Sequence, residues 1–318
     1  MLRKLFPISL LAVLFVVFYF FYARSGEVQE KITSPVPLFL TLLENRQVST
    51  LDIWSPSRGG VLSFSSGKPE ISAQGALVYD LTEDEIVYEK DSDARYPMAS
   101  LTKIMTAIVA LEHKKENDRY YVYDSDIVGE NSMGLTSGEV MHLEELLYGL
   151  ILPSGNDAAE ALASNYEGGR NAFIDAMNEK AEALGLTNTH FTNPSGLEGD
   201  GAQYTTAKDL LIITRYGLSN LSLFGKVVAT VEKEIPGNSD HKYFYLYNDT
   251  NLLTSYPGVK GVKTGYTPEA GLCLVTYIDY GGHQIIGVLL GSQNRRQEMK
   301  DLLDYSLRLA GVEPPPHN

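Results

Sequence analysis

The sequence predicts an α+β fold, in which one antiparallel sheet is flanked by helices and by an all-α lobe. Short β-rich runs lie near both ends of residues 75–310, and helical patterns fill the chain between them. A sheet must bury its apolar faces, so strands from the two ends can pair into one antiparallel sheet that the last helix closes.

The elements are predicted from the periodicity of apolar residues. Residues 76–79 and 85–89 are two short β-rich runs that predict a hairpin, and an apolar helix follows from about Ser100 to Glu112. Further helices are predicted at residues 143–152, 157–165, 170–184 and 206–218. The β-rich runs 272–278 and 284–290 then precede a last helix that carries Met299, Leu302, Leu303 and Leu307.

The amino terminus is expected to reach or cross a membrane. Residues 5–23 contain no formal charge and follow Arg3 and Lys4, which predicts that residues 1–26 form a transmembrane signal anchor with the rest of the chain outside. A cleaved signal peptide is the alternative, with a weak cleavage site near Ala23. Residues 27–74 contain scattered Pro and Gly and are interpreted as a linker or stalk, and residues 311–318 as a tail.

Composition excludes several functions. The net charge is −14 and no basic cluster is present, so nucleic acid is not an expected partner. The single cysteine, Cys273, excludes an internal disulfide and a cysteine-based zinc site. The six histidines form no metal-spaced pair, so no metal site is predicted.

A first motif, Ser100-Leu101-Thr102-Lys103, begins the first predicted helix. Residues three apart share a helix face, so Lys103 should lie beside the hydroxyl of Ser100 and could act as its base if its pKa is lowered. A helix cap with a solvated lysine is the alternative. A second Ser-x-x-Lys at Ser65 lies among Gly and Pro with no apolar helix after it, so we reject it.

Two further motifs follow in the chain. Ser154-Gly155-Asn156 lies between two predicted helices, where its hydroxyl could relay a proton and its amide bind a carbonyl, or where both could simply cap a helix. Lys263-Thr264-Gly265 comes directly before the carboxyl-terminal strands and suits a substrate that carries a carboxylate. Ser292-Gln293-Asn294 also has the spacing of the second motif, but it follows the third.

The three motifs, in this order, resemble the Ser-x-x-Lys, Ser-x-Asn and Lys-Thr-Gly set of penicillin-binding proteins and serine β-lactamases. Over about residues 75–309 the chain is most similar to the low-molecular-mass penicillin-binding proteins that are serine D-alanyl-D-alanine carboxypeptidases (peptidase S11). Flanking segments support this resemblance: residues 97–106, 147–159 and 256–267. The resemblance implies a β-lactamase/transpeptidase-like fold, with residues 75–310 as the catalytic domain. Many members of the family also carry a carboxyl-terminal β-domain, which is not expected here because the chain ends before it could fit.

The resemblance also implies residue roles. Ser100 is the implied nucleophile and Lys103 its general base, while Ser154 and Asn156 assist proton transfer and substrate binding. Lys263 and Thr264 would hold the terminal carboxylate, with Gly265 letting the substrate backbone approach. The backbone N–H groups of Ser100 and Tyr266 would bind the oxyanion. No cofactor or metal is implied.

The implied reaction removes the terminal D-alanine from peptidoglycan stem peptides during bacterial cell-wall biogenesis, outside the cell membrane. β-Lactams would be covalent inhibitors. Ser195 stands where the family often has His. The alternatives are a D,D-endopeptidase, a β-lactamase and a catalytically dead wall-binding protein. The β-lactamase is disfavoured because Glu167, which superficially fits the Glu-x-x-x-Asn pattern of its extra base, follows Ser154 too closely.

Overall fold

The computed structural model describes residues 54–56, 67–250 and 252–317, all within one compact unit, Ile53–Asn318. The strands are β1 Gly75–Asp80, β2 Glu85–Lys90, β3 Tyr120–Tyr121, β4 Val140–Met141, β5 Glu232–Ile235, β6 Phe244–Tyr247, β7 Val259–Thr267, β8 Gly271–Tyr280 and β9 His283–Ser292. The helices are α1 Thr102–Glu112, α2 Leu143–Ile151, α3 Asn156–Ser164, α4 Gly169–Ala183, α5 Ala207–Asn220, α6 Ser222–Val228, α7 Leu252–Ser255 and α8 Arg295–Leu309.

The main sheet is antiparallel and has the strand order β2-β1-β9-β8-β7. Strands from both ends of the chain therefore pair, as the sequence predicts. Strand β7 is an edge strand, which leaves one side of its backbone free of strand partners within the sheet. The predicted α+β class is confirmed.

Both faces of this sheet are buried, which the alternation of β1 shows. Leu77 and Tyr79 pack into the core that the sheet shares with the helical lobe. Ala76 and Val78 point the other way, into a second core with α8. Because successive side chains of a strand point to opposite faces, one short apolar strand serves both layers. Helix α8 contributes four apolar side chains to the second core: Met299, Leu302, Leu303 and Leu307.

Two connections of the helical lobe carry the first two motifs. A 3₁₀ turn, Ala99–Leu101, leads directly into α1, and the α2–α3 connection carries the second motif. Helix α1 is buried along most of its length, from Thr102 to Ala110, because the lobe surrounds it. This burial fixes the position of the first turn of α1 relative to the sheet.

The third motif lies inside a strand, which corrects the expectation that it directly precedes the strands. Lys263, Thr264 and Gly265 are the fifth to seventh residues of β7 and pair with β8. The strand has no clear alternation, because five consecutive residues, 261–265, are buried. Sequence periodicity therefore gave no signal for it.

Part of the predicted linker is packed against the sheet. Ala73 is fully buried, and the N–H of Gln74 donates to Leu290 O of β9 at 2.8 Å. The Glu298 carboxylate accepts from the N–H of Ser72 at 2.7 Å and from Ser292 Oγ at 2.6 Å. The packed unit therefore includes residues ahead of Gly75.

None of the helices in the described ranges is long and apolar enough to cross a bilayer. The predicted anchor, residues 1–26, lies outside those ranges.

Candidate active site

The first motif is held in an unusual backbone conformation. Ser100 is partly buried in the 3₁₀ turn, and the preceding Ala99 has φ +48°, a left-handed value that is rare for a residue other than glycine. Thr102 Oγ1 donates to Ala99 O at 2.9 Å and fixes the turn. Gly196 packs directly against Ala99 of this turn. Such local strain persists where the surroundings over-determine it, and it is common at functional sites.

Lys103 lies one helical turn beyond Ser100 and is completely buried. Its Nζ is 2.9 Å from Ser100 Oγ, 2.7 Å from Asn156 Oδ1 and 2.6 Å from the main-chain oxygen of Ser195. Burial, together with the positive charge of Lys263, holds the pKa of Lys103 well below its usual value. The spacing argument is therefore confirmed: the helix brings the amine to the hydroxyl.

The second motif lies in the tight connection between α2 and α3. The N–H of Gly155 donates to Gly149 O at 2.9 Å, and Asn156 begins α3. The amide of Asn156 is oriented by Gly129 O, which accepts from Nδ2 at 3.3 Å and leaves Oδ1 directed at Lys103. Ser154 has φ +60°, and its hydroxyl is buried without a hydrogen-bond partner among the described residues. An unpaired buried hydroxyl is uncommon and fits a group that serves a substrate.

A loop that covers the second motif is anchored by one carboxylate. Asp157 accepts hydrogen bonds from the N–H groups of Met133 at 2.9 Å, Gly134 at 3.0 Å and Leu135 at 2.9 Å. The same loop supplies Gly129 O, which orients Asn156. Asp157 thus fixes the loop and, through it, the amide beside Lys103.

The third motif places a second buried lysine in the site. Lys263 is 1% exposed, and its Nζ donates to Thr264 O at 3.0 Å. Burial and the nearby Arg295 lower the pKa of Lys263 to about 7, although Asp249 acts in the opposite direction. A buried lysine cation without a partner is costly, and an anionic ligand stabilises it by charge-assisted hydrogen bonding. This position therefore suits a carboxylate.

Strand β7 closely approaches the nucleophile turn at Gly265. A Cβ atom at this position would lie 3.1 Å from Met98 O and 3.2 Å from the backbone nitrogen of Ser100. Glycine therefore permits the contact. The next residue, Tyr266, has a side chain that is 62% exposed. The backbone nitrogens of Ser100 and Tyr266 thus belong to two segments that meet at Gly265, as an oxyanion site requires.

Two contributors to the site were not predicted. The carbonyl of Ser195 contacts Lys103 through the backbone, which any residue could supply, so the exchange of the family's usual His for Ser leaves this contact intact. Arg295 donates through Nη1 to Gly265 O at 2.6 Å and supports β7 from α8. Both contacts join residues distant in the chain, and no local motif signals them.

The alternative motifs and bases do not reach this site. Ser292 Oγ donates to Glu298 and Asn294 caps α8, so Ser292-Gln293-Asn294 has a structural role. Glu167 is exposed on another surface, beside His113 and Phe173. Within the described ranges no group of acidic, His and Cys side chains could hold a metal ion. The Ser65 motif begins outside those ranges.

The chain is similar to known D-alanyl-D-alanine peptidases in sequence and in structure. The profile of the peptidase S11 family, D-alanyl-D-alanine carboxypeptidase, matches residues 63–294. The D-alanyl-D-alanine carboxypeptidase DacF of Bacillus subtilis is 35% identical over 251 residues, which cover 76% of this chain and 64% of DacF. A D-alanyl-D-alanine endopeptidase of Pseudomonas aeruginosa is 33% identical and covers 78% of each chain.

The fold is similar to that of a solved relative. The crystal structure of the Streptomyces K15 DD-transpeptidase superposes with a TM-score of 0.71 at 34% identity, covering 76% of this chain and 99% of that one. The chain spans just under two thirds of DacF. The matched profile covers more than half of the residues and includes all three motifs, so this chain belongs to the D-alanyl-D-alanine carboxypeptidase family of hydrolases.

Proposed function

We propose that the protein is a serine D-alanyl-D-alanine carboxypeptidase that removes the terminal D-alanine of peptidoglycan pentapeptide stems without a cofactor. Ser100 is the nucleophile and Lys103 its general base. The observation that carries this proposal is the set of hydrogen-bond partners around Lys103 Nζ. Two of them are carbonyl oxygens and the third is the Ser100 hydroxyl.

Two of those partners are pure acceptors. Asn156 Oδ1 and Ser195 O carry no hydrogen, so each accepts an N–H from Lys103. A neutral amine has only two N–H groups, and its lone pair then faces the third partner, Ser100 Oγ, at 2.9 Å. A hydroxyl can donate its proton in that direction. The lowered pKa of Lys103 favours this neutral state.

The reaction then proceeds in two steps, formation of an acyl-enzyme ester and its hydrolysis. Ser100 Oγ bonds to the carbonyl carbon of the penultimate D-alanine while its proton moves to Lys103 Nζ. The C–N bond breaks, and the leaving amine of the terminal D-alanine takes up a proton through Lys103 or the Ser154 hydroxyl. Water attacks the ester in the second step, with Lys103 again as base, and Ser100 is released.

The remaining residues near Ser100 are assigned to binding of the substrate. Lys263 and Thr264 bind the terminal carboxylate, and Gly265 allows the substrate backbone to lie against β7. The N–H groups of Ser100 and Tyr266 bind the developing oxyanion. Besides supporting Lys103, Asn156 can donate to a substrate carbonyl through its amide nitrogen.

A D,D-endopeptidase that cuts peptide cross-links is the second candidate, and the similarity to the Pseudomonas relative favours it. The same acyl-enzyme serves both reactions, and only the leaving amine differs. Comparing release of D-alanine from a pentapeptide with cleavage of a cross-linked dimer distinguishes them. The β-lactamase alternative is weakened because Glu167 is exposed on another surface.

The proposal includes the place of action. Residues 1–26 anchor the chain in the bacterial cell membrane, and the catalytic domain lies outside the cytoplasm, where stem peptides and β-lactams are found. The charge-free stretch of residues 5–23 after Arg3 and Lys4 supports this. Amino-terminal sequencing of the mature protein tests it, because a start near Gly26 would indicate a cleaved signal peptide instead.

Intact mass after incubation with a penicillin, followed by peptide mapping, tests the central claim. The adduct should map to Ser100, and Ser100→Ala should lose both the adduct and release of D-alanine. Ser65→Ala is the matched control and should retain both. An adduct on another serine, or release of D-alanine by Ser100→Ala, would refute the mechanism.

A further inference from the structure

A cavity of about 170 Å³ adjoins the nucleophile turn. Its lining includes Met98 and Ala99 of that turn, Thr267 at the end of β7, and Glu198. The cavity therefore borders the turn that carries Ser100, but no residue of the three motifs lines it.

The direction of a bound substrate follows from the order of groups along β7. Under the proposed function, the terminal carboxylate lies at Lys263 and Thr264, and the scissile carbonyl lies beside Ser100 and Tyr266. The residues before the scissile bond must therefore continue past Thr267. A strand advances about 3.3 Å per residue, so the first side chains upstream of the two D-alanines reach this cavity.

Glu198 is held at that point by β7 and its following turn. Its carboxylate accepts from the N–H of Glu269 at 3.0 Å and from the Thr267 side chain. The hydrogen bond from Thr267 has the larger effect and that from Glu269 the smaller. Together they lower the pKa of Glu198, so the group carries its charge at neutral pH. Glu198 forms no ion pair with any described residue.

Among the described residues that line the cavity, the one cation is engaged elsewhere. Arg95 donates to Asn188 Oδ1 at 3.0 Å, and its guanidinium lies 4.6 Å from the centre of the Tyr204 ring. The negative charge of Glu198 is therefore available to a ligand. Tyr96 and Tyr204 supply apolar wall beside it, which suits the methylene stem of a long cationic side chain.

We infer that Glu198 is a specificity-determining residue that recognises a side-chain ammonium group in the stem peptide, just upstream of the two D-alanines. The inference rests on the proposed function and specifies its substrate class: donor peptides with a free diamino-acid side chain. An acidic subsite at the end of β7 gives this selectivity without contacting the reacting atoms.

Two peptides that differ by one charge test the inference. We compare kcat/KM for Nα-acetyl-L-Lys-D-Ala-D-Ala, with a free ε-amine, and for its Nε-acetylated form. The wild-type protein should prefer the free amine by about 2- to 5-fold at low salt, since exposed ion pairs are weak. The preference should decline in about 1 M salt, where screening is strong.

Glu198→Gln should remove this preference while still cleaving both peptides. Glu167→Gln, an exposed carboxylate on another surface, is the matched control and should retain the preference and its salt dependence. Equal kcat/KM values for the two peptides with the wild-type protein, or an undiminished preference in Glu198→Gln, would overturn the inference alone. Failure to release D-alanine from either peptide would overturn the proposed function and the inference with it.

Discussion

Asn156 Oδ1 lies 2.7 Å from Lys103 Nζ, although 53 residues separate the two in the chain. The contact links the second motif to the first and determines where the hydrogens of the lysine point. A neutral amide accepts an N–H from the amine without adding charge. A carboxylate in the same place would accept equally well but would stabilise the protonated lysine.

Asn156→Asp should therefore inactivate the base without moving it. The negative charge beside Lys103 should raise the pKa of the amine by about 1–3 units, so the acidic limb of the kcat/KM profile should move to higher pH. Acylation by penicillin at neutral pH should fall by about 10-fold or more. Asn156→Ala is the control, because it removes the acceptor and adds no charge. If both variants keep the same acidic limb, Asn156 does not act through the charge state of Lys103.

Gly196 should be irreplaceable at the back of the nucleophile turn. A Cβ atom there would lie 2.0 Å from Ala99 O, and the residue has φ +88°. Gly196→Ala should displace the turn that carries Ser100 and lower the free energy of unfolding by about 2–4 kcal/mol. Penicillin acylation rate and urea denaturation measure the two effects.

Gly199→Ala separates contact from conformation. Gly199 also has a positive φ, +113°, but a Cβ atom there would meet nothing within 4 Å. This variant should lose only about 1 kcal/mol, from backbone strain, and should keep its acylation rate. Equal losses of activity in the two variants would show that the contact with Ala99 is unimportant.

The sequence predicted the parts of the site that local spacing determines. Ser100 and Lys103 meet because helical geometry places residues three apart on one face. The four-residue motif alone is therefore enough to predict this contact. The partner Ser195 O lies 92 residues away, and Arg295 reaches Gly265 from another element, so neither contact has a local signal. Strand β7 was missed because its buried run does not alternate. Its strand conformation depends on pairing with β8, which is a tertiary effect.

Glu298 should stabilise the fold by holding residues ahead of Gly75. Its carboxylate accepts from the N–H groups of Ser72 and Ala73 and from the Ser292 hydroxyl. Glu298→Ala should leave buried donors unpaired and reduce the free energy of unfolding by about 2–4 kcal/mol. Asp301→Ala, an exposed acidic position on the same helix, is the control for the loss of charge. Equal stability of the two variants would mean that residues 72–73 add nothing to the packed unit.

The pH dependence of turnover should be bell-shaped, because two lysines must be in opposite charge states. Lys103 must be neutral to act as base, so kcat/KM rises as pH increases through its lowered pKa. Lys263 must be protonated to bind a carboxylate, and its pKa in the free enzyme is about 7. Above that pH the lysine must gain a proton before substrate can bind, so kcat/KM should fall.

A peptide with an amidated carboxyl terminus distinguishes this explanation from a general loss of activity at high pH. It has no carboxylate, so it should be cleaved slowly, and its profile should lack the alkaline limb near pH 7. The acidic limb should remain, because Ser100 still needs a neutral Lys103. Thermal unfolding across the same pH range checks that the protein stays folded. An alkaline limb of the same position with both peptides would assign that limb to a group other than Lys263.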